Sequence, residues 1–362
     1  MKQTHPHHSG NDHKSMSPRL IAWEVTRSCN LSCIHCRASA EKGPYEGELD
    51  PEASLRLVDQ MAEVGSPIVI LTGGEPLLRP DIFDIAAYGT EKGLRMVMAP
   101  NGSLITKETA AKMATSGIKR ISVSIDGNEK NSHDAFRGVD GAFESSIRGL
   151  RLAKEAGVEF QINTTITKAN LKLMPAIHDL AIELGAVAHH IFLLVPTGRG
   201  KYILDQGIDA VEYEETLNWF YDRRNDTSMH LKATCAPHYY RILRQRAKED
   251  GVPVTFETHG MDAVTRGCLA GTGFCFISHT GIVRPCGFLH TDCGDVTRDS
   301  FKEVWTNSDV FLKLRDFSLL EGKCGECEYK RVCGGCRARA YEATGNFMAE
   351  EPLCSYQPHI LT

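Results

Sequence analysis

The chain has 362 residues, 42% of them hydrophobic and 24% charged, and a formal net charge of −5 at pH 7. This composition is typical of a soluble globular protein with one large or two ordinary domains, and the charge gives no case for nucleic acid as a main partner. No apolar stretch approaches the roughly 18 residues that a membrane span needs, and the N-terminus lacks the apolar core of a signal peptide. We therefore expect a cytoplasmic protein that binds neither nucleic acid nor a membrane.

The first 18 residues are polar and include four histidines, His5, His7, His8 and His13. A histidine-rich tract can bind metal. The composition nevertheless favours a disordered tail, because it offers too little apolar surface to bury.

From Leu20 onward, short β-rich runs alternate with amphipathic helical patterns. The predicted strands are Leu20–Thr26, Pro67–Leu71, Arg95–Ala99, Arg120–Ile125, Glu159–Thr165 and His190–Val195. The predicted helices between them are Glu52–Val64, Asp81–Lys92, Lys107–Thr115, Ala142–Ala156 and Leu171–Leu184. Repeated βα units form a parallel sheet with right-handed crossovers, so six of them predict an α/β fold, a partial (βα)6 TIM-like barrel. Such a barrel places its chemistry on the loops that follow the carboxyl ends of the strands.

The pattern changes after residue 197. Two further helices are predicted at Val211–Arg223 and His238–Lys248, and beyond Gly267 the chain is dense in cysteine. We therefore predict a disordered tail over residues 1–18, the barrel with its connecting helices over 19–255, and a small cysteine-rich domain over 256–362.

Cys29, Cys33 and Cys36 form a C-x3-C-x2-C triplet directly after the first predicted strand. The chain has 13 cysteines, an odd number, and in a reducing compartment clustered cysteines bind metal more often than they form disulfides. A [4Fe–4S] cluster usually takes four thiolates. Three thiolates on one loop therefore leave one iron without a protein ligand, and an open metal position is where chemistry occurs.

Polar residues at the following strand ends form a second pattern. In the motif Thr72-Gly-Gly-Glu-Pro, glycines let the backbone approach a ligand and Glu75 offers acceptors to an ammonium group. Taken singly, such residues also fit an ordinary strand-to-helix turn. Together with the cysteine triplet, they resemble the radical S-adenosylmethionine (SAM) superfamily, whose members bind SAM at the open iron. The resemblance implies that Cys29, Cys33 and Cys36 hold the catalytic cluster and that SAM is contacted by Gly73, Gly74, Glu75, Ser124, Asp126, Arg137 and Asn163.

Nine of the cysteines lie between Cys268 and Cys354. Pairs of the C-x2-C type also occur in zinc sites, which are the main alternative. The arrangement resembles the SPASM extension of radical SAM enzymes, which holds one or two auxiliary [4Fe–4S] clusters. The resemblance implies one cluster on Cys324, Cys327, Cys333 and Cys354. It implies a second on Cys268, Cys286 and Cys336, with Cys275 or Cys293 as the fourth ligand. Cys235 is left unassigned, and its simplest interpretation is a buried free cysteine.

The segment from Thr227 to Arg246 is rich in Lys, Arg, His and Tyr, which by composition alone fits a solvated basic helix. Its Ala-Pro-His-Tyr element, together with stretches at 46–50, 190–198, 267–279 and 333–341, resembles the heme b synthases of the siroheme-dependent heme pathway. The resemblance implies oxidative decarboxylation of two propionates of iron-coproporphyrin III to vinyl groups, with a reductant such as ferredoxin or flavodoxin as partner. An auxiliary cluster would then accept the released electron. A tetracarboxylate porphyrin needs cationic anchors, and its iron can take an axial histidine. The implied substrate residues are therefore Lys232, His238, Arg241 and Arg244, with His230 as the alternative to His238 for the axial position.

Three alternatives remain open from the sequence. The first is a sister enzyme that modifies side chains of siroheme-derived tetrapyrroles, which product analysis would distinguish. The second is a peptide-modifying SPASM enzyme, which a precursor peptide encoded nearby would favour. The third is a non-catalytic iron–sulfur or zinc protein, which iron content and SAM cleavage would exclude.

Overall fold

The computed structural model describes residues 17–225 and 228–359, so the four histidines of the predicted tail lie outside the described residues. The strands within the described residues are β1 Leu20–Thr26, β2 Ile68–Gly73, β3 Arg95–Met98, β4 Arg120–Ser124, β5 Glu159–Ile166, β6 Ala188–Leu193, β7 His230–Thr234, β8 Phe274–Ile277, β9 Ile282–Arg284 and β10 Gly294–Asp295. They form one sheet in the order β10-β9-β8-β1-β2-β3-β4-β5-β6-β7. Strands β1 to β7 pair in parallel, and β8 pairs in parallel with β1. The β8–β9 and β9–β10 pairs are antiparallel.

The connecting segments are mostly helical. The α-helices of the described residues are α1 Pro51–Glu63, α2 Ile82–Glu91, α3 Lys107–Thr115, α4 Lys130–Arg137, α5 Ala142–Glu155, α6 Met174–Leu184, α7 Ala210–Asp222, α8 His238–Glu249, α9 Phe256–His259, α10 Met261–Val264, α11 Phe301–Asn307, α12 Asp309–Arg315, α13 Gly322–Glu326 and α14 Arg337–Thr344. In the part of the chain that the structure describes, no helix is both long and apolar enough to cross a membrane.

The predicted partial barrel is confirmed, and its six predicted strands correspond to β1 to β6. The structure adds a seventh parallel strand, β7, inside the basic segment. There Leu231 and Ala233 are buried while Lys232 and Thr234 are partly exposed, which is the period of two that a strand shows. The alternative of a solvated basic helix is wrong, because α8 buries both of its tyrosines, Leu243 and most of its first two turns.

The two faces of the barrel sheet differ in burial. One set of alternate positions is fully buried under the helices and forms the main hydrophobic core, as in Val69, Leu71, Ile121, Val123, Ile162 and Ile191. The positions between them are partly exposed on the inner side, which we call the lumen face, as in Thr72, Ser122, Ser124, Asn163, His190 and Lys232. Because the buried set is apolar and the lumen set is largely polar, the sequence pattern itself directs polar groups into the barrel.

Candidate active site

The cysteine triplet lies on the loop after β1, at the carboxyl edge of the sheet. Cys29 and Cys33 are buried and Cys36 is half-buried. Each sulfur accepts one hydrogen bond, at 3.4, 3.6 and 3.4 Å, from the Leu31 amide, the Arg137 guanidinium and the Ala40 amide respectively. Burial raises the pKa of Cys29 to about 11, so its thiolate needs a compensating positive charge. Three grouped thiols with N–H donors aimed at their sulfurs fit a metal-bound cluster.

Arg199, on the turn after β6, holds this loop through three hydrogen bonds. Its Nε donates to the carbonyl oxygen of Cys33 at 2.8 Å, and its Nη1 donates to that of Ala40 at 2.8 Å. Its own amide donates to the carbonyl oxygen of Cys36 at 2.9 Å. The triplet is therefore clamped by a residue that lies far away in sequence.

The glycines of the Thr72–Pro76 motif pack against the chain just before the triplet. A Cβ on Gly74 would lie 2.7 Å from the carbonyl carbon of Ser28, and one on Gly73 would collide with the carbonyl of Thr26. A side chain at Gly74 would push on backbone rather than on a flexible neighbour, so this close approach requires glycine. These glycines set the position of the residue that precedes Cys29.

The Glu75 carboxylate is fully buried and organises the ends of two strands. Its Oε1 accepts from the Leu77 amide at 3.0 Å, and its Oε2 accepts from the Asn101 amide at 2.6 Å. Burial raises the pKa of Glu75 to about 7. Each carboxylate oxygen retains a second acceptor site, and a nearby ammonium group would favour the ionised form.

Asp126 and Arg137 form a buried ion pair beside the triplet. Asp126 also accepts from the Thr165 amide at 2.7 Å, and Arg137 also donates to the Cys33 sulfur. Among the described residues, the Arg137 Nε has no hydrogen-bond partner. Arg137 therefore retains one unpaired N–H beside the triplet rather than a two-donor fork, and the Asp126 carboxylate is committed to protein contacts.

Ser124 and Asn163 lie opposite each other on the lumen face of β4 and β5. The next positions in register are His190 on β6 and Lys232 on β7. Gln161 Nε2 lies 2.9 Å from Asn163 Oδ1, to which it donates, and 3.0 Å from His190 Nδ1. We call Ser124, Asn163, His190 and Lys232 the lumen row, because together they carry polar groups across the inside of the barrel.

Cys324, Cys327, Cys333 and Cys354 line a single cavity, and we call them the second cysteine set. Three of their sulfurs accept backbone or guanidinium hydrogen bonds at 3.4 to 3.5 Å, from the Tyr329, Gly335 and Glu351 amides and from Arg337. This donor pattern fits thiolates bound to a cluster. Among the described residues, no set of three or more His, Cys, Asp or Glu side chains is arranged so that it could hold a single metal ion.

Cys268, Cys286 and Cys336 form what we call the first cysteine set. The Cys286 thiol interacts electrostatically with those of Cys268 and Cys336, and Cys286 packs against a small hydrophobic cluster that contains Cys336. Cys275 and Cys293 were the predicted choices for a fourth ligand. The structure instead places Cys275 in the main core, with Cys293 as its neighbouring thiol.

Two of the four predicted substrate residues, Lys232 and Arg244, do not line the cavity of the second cysteine set. Lys232 belongs to the lumen row, and burial lowers its pKa. Asp262 interacts electrostatically with both Lys232 and Arg244, and burial raises the pKa of Asp262 to about 6. Lys232 is thus a partly desolvated cation inside the barrel.

The other two, His238 and Arg241, line the cavity of the second cysteine set. His238 is 1% exposed, and neither of its ring nitrogens has a hydrogen-bond partner within the described residues. Arg241 is 3% exposed and pairs with Glu214 at 2.5 Å. The geometry therefore makes both residues neighbours of a cluster site, and it does not support an axial approach of His238 to a substrate iron.

Sequence reasoning missed two arginines, Arg199 and Arg37. Arg37 follows Cys36 directly, stacks over the Phe276 ring at 4.6 Å and donates to the carbonyl oxygen of Gly287 at 3.3 Å. It therefore joins the triplet loop to the residue next to Cys286. Both arginines follow strand ends at the carboxyl edge, and this position was the signal that could have identified them.

The comparisons with known proteins agree with this geometry. Residues 23–179 match the Radical SAM superfamily, and residues 268–337 match the SPASM iron-sulfur cluster-binding domain. The chain is 61% identical over 344 residues to the AdoMet-dependent heme synthase of Nitratidesulfovibrio vulgaris, which covers 95% of this chain and 94% of that protein. It is 33% identical to the Fe-coproporphyrin III synthase of Methanosarcina barkeri, over 92% of this chain and 87% of that protein.

A solved structure shares the fold. SuiB of Streptococcus suis bound to S-adenosylmethionine superposes with a TM-score of 0.74 at 18% identity, covering 94% of this chain and 78% of that chain. The chain is thus a radical SAM enzyme that uses SAM and a [4Fe–4S] cluster and has auxiliary iron–sulfur sites in its SPASM domain. It belongs to the radical SAM superfamily and, within it, to the family of the AdoMet-dependent heme synthases.

Proposed function

We propose that this enzyme converts two propionate side chains of iron-coproporphyrin III to vinyl groups and so produces heme b. The observation that carries the proposal is the 61% sequence identity, over 95% of this chain, to a protein named AdoMet-dependent heme synthase. Each propionate loses one hydrogen atom from its β-carbon, one carbon dioxide and one electron, which leaves a carbon–carbon double bond. When bound, SAM and its cluster supply the hydrogen-abstracting radical, and the auxiliary clusters supply a one-electron acceptor.

The residues that hold SAM in this proposal surround the cysteine triplet. Glu75 offers free acceptor positions to the SAM ammonium group, and the Arg137 Nε offers one N–H to its carboxylate. Ser124 and Asn163, which are paired in the lumen row, are proposed as further contacts of SAM. Because Cys29, Cys33 and Glu75 are buried, bulk water is kept from the place where the radical forms.

The lumen row supplies the contact for the porphyrin. Burial lowers the pKa of His190 well below its usual value, so His190 is neutral and Lys232 is the cation of the row. An ammonium group on a flexible stem binds a carboxylate as a point charge, which suits a propionate that must be released after reaction. Lys232 is therefore proposed to anchor one propionate.

The test is anaerobic incubation of the enzyme with SAM, a reductant and iron-coproporphyrin III, followed by chromatography of porphyrins and nucleosides. We expect a monovinyl intermediate, then heme b, and one SAM cleaved for each vinyl group formed. An untouched porphyrin beside active SAM cleavage would overturn the proposal. Turnover of a siroheme-derived tetrapyrrole or of a peptide in its place would favour the corresponding alternative.

Two matched lysine variants sharpen this test. Lys232→Ala removes the proposed anchor, whereas Lys302→Ala removes a charge on the exposed side of α11. We expect Lys232→Ala to raise the KM for the porphyrin about tenfold or more, which corresponds to at least about 1.4 kcal/mol, and Lys302→Ala to leave it unchanged. Equal KM values for both variants would remove Lys232 from the substrate site.

A further inference from the structure

Cys235 follows β7 directly, at the same carboxyl edge of the sheet as the catalytic triplet. Its backbone has φ +54°, in the left-handed region. Side chains other than glycine, asparagine and aspartate are uncommon there. The contacts that hold the chain in this conformation also position the Cys235 thiol.

The Cys235 carbonyl is tied to the helix that begins beside the first cysteine set. Arg339 Nη2 donates to this oxygen at 2.9 Å, and the Tyr213 hydroxyl donates to it at 3.0 Å. Arg339 lies on α14, three residues after Cys336, and it pairs with Glu351 at 3.1 Å. Cys235 and Cys336 are therefore linked through one buried arginine.

A second contact brings the same segment against Cys268. A Cβ on Gly267 would lie 2.6 Å from the Cα of Pro237 and 2.8 Å from the carbonyl oxygen of Cys333. Only a residue without a side chain allows this approach. The chain just before Cys268 is thus packed directly on the chain just after Cys235.

The side chains complete the grouping. Cys235 and Cys286 both pack against the hydrophobic cluster that contains Cys336, Val195 and Leu289. The Cys235 thiol interacts electrostatically with three other thiols, those of Cys336, Cys286 and Cys268. These three are the first cysteine set, and neither Cys275 nor Cys293 is among the interacting thiols.

We propose that Cys235 is the fourth thiolate ligand of the auxiliary cluster held by Cys268, Cys286 and Cys336. A [4Fe–4S] cluster takes four thiolates, and three contacts from separate parts of the chain bring this thiol to the other three. Four protein ligands leave no open iron, as in closed structural metal sites. The auxiliary cluster nearest to Arg37 is therefore an electron-transfer site and not a place where substrate binds iron.

The experiment uses the full-length chain with Cys29, Cys33 and Cys36 all changed to Ala, so that the SAM cluster does not contribute iron. In this background, anaerobically reconstituted protein should contain about eight irons, four for each auxiliary cluster. Adding Cys235→Ala leaves one iron without a thiolate. We expect mild ferricyanide oxidation to release about one iron per chain and to produce the EPR signal of a three-iron cluster, or the whole cluster to be lost with about four irons.

The matched control is Cys275→Ala in the same background, since Cys275 was one of the two sequence-based choices, with Cys293. It should keep about eight irons and show no three-iron signal. Retention of about four irons at the second cysteine set shows that Cys235→Ala is folded. If that variant aggregates, Cys235→Ser supplies an oxygen ligand of similar size, and a changed EPR spectrum of the reduced cluster is expected. The proposal is overturned if both Cys235 variants match the background protein, or if the three-iron signal arises with Cys275→Ala instead.

Discussion

The buried ion pair of Arg339 and Glu351 joins the barrel to the cysteine-rich part of the chain. Arg339 is 3% exposed and Glu351 is 1% exposed. Besides pairing with Glu351, Arg339 donates to the carbonyl oxygens of Leu194 and Cys235 at 3.3 and 2.9 Å, and Glu351 accepts from the Cys336 amide at 2.7 Å. Removing either charge should therefore disturb strand ends of the barrel and the first cysteine set together.

The change to make is Arg339→Gln, with Glu351→Gln and the double variant as partners. Removing one member of a buried pair leaves an uncompensated charge, which costs about 3–5 kcal/mol. The double variant has no buried charge, so it should be more stable than the sum of the two single losses predicts, by on the order of 2 kcal/mol. At a urea slope of about 3 kcal/mol per M, each single variant should lower the unfolding midpoint by roughly 1 M or more.

The assay is anaerobic urea unfolding of the reconstituted enzyme, followed by circular dichroism and by iron release. Burial raises the pKa of Glu351, but Arg339, His238 and the hydrogen bond from the Cys336 amide together outweigh burial, so the net pKa is lowered from 4.5. This lowered pKa contributes stability above pH 4.5 that is lost as the pH falls further. Arg339→Gln removes the largest lowering contribution and so raises the pKa of Glu351. The gap in stability to the parent should therefore widen as the pH rises from below the lowered pKa of the parent. Strictly additive losses in the double variant, or a gap that does not change with pH, would refute the reasoning.

Three further changes test the catalytic edge of the barrel. Gly74→Ala places a Cβ 2.7 Å from the Ser28 carbonyl carbon, so it should lower the free energy of unfolding by about 1–3 kcal/mol. It should also lower the iron bound at the triplet, measured as a loss of total iron per chain with the auxiliary cysteines intact. Glu75→Gln replaces one of the two carboxylate acceptors by a donor, which leaves the backbone amide of either Asn101 or Leu77 unpaired. We therefore expect the free energy of unfolding in urea to fall by about 1–3 kcal/mol. Burial lowers the pKa of Lys232, so Lys232 should lose its charge, and the KM for the porphyrin should rise, at a lower pH than for an ordinary lysine. Lys232→Arg should abolish that rise. A KM that does not depend on pH in the parent would contradict this prediction.

Local patterns of the sequence determined most of the barrel. The helix predicted at Lys107–Thr115 has the bounds found in the structure, because Thr106 caps it through a reciprocal capping box with Thr109. Strand β1 likewise has its predicted bounds, and the triplet lies directly after it. Period, cap and spacing act over a few residues, so they can be recognised in one sequence.

Non-local contacts decided the remainder. Strand β7 forms because it pairs with β6, as in the register of His190 with Lys232. The sequence of either segment alone does not show that the two strands pair. The grouping of Cys235 with the first cysteine set depends on Arg339 and on the close packing at Gly267. Motif spacing describes ligands that share one loop, and a ligand brought in from another strand end has no such spacing. The sequence by itself thus determined the barrel, the triplet and the superfamily. Only the tertiary structure decided which thiols lie together and which cations face the lumen, because both depend on how distant segments pack.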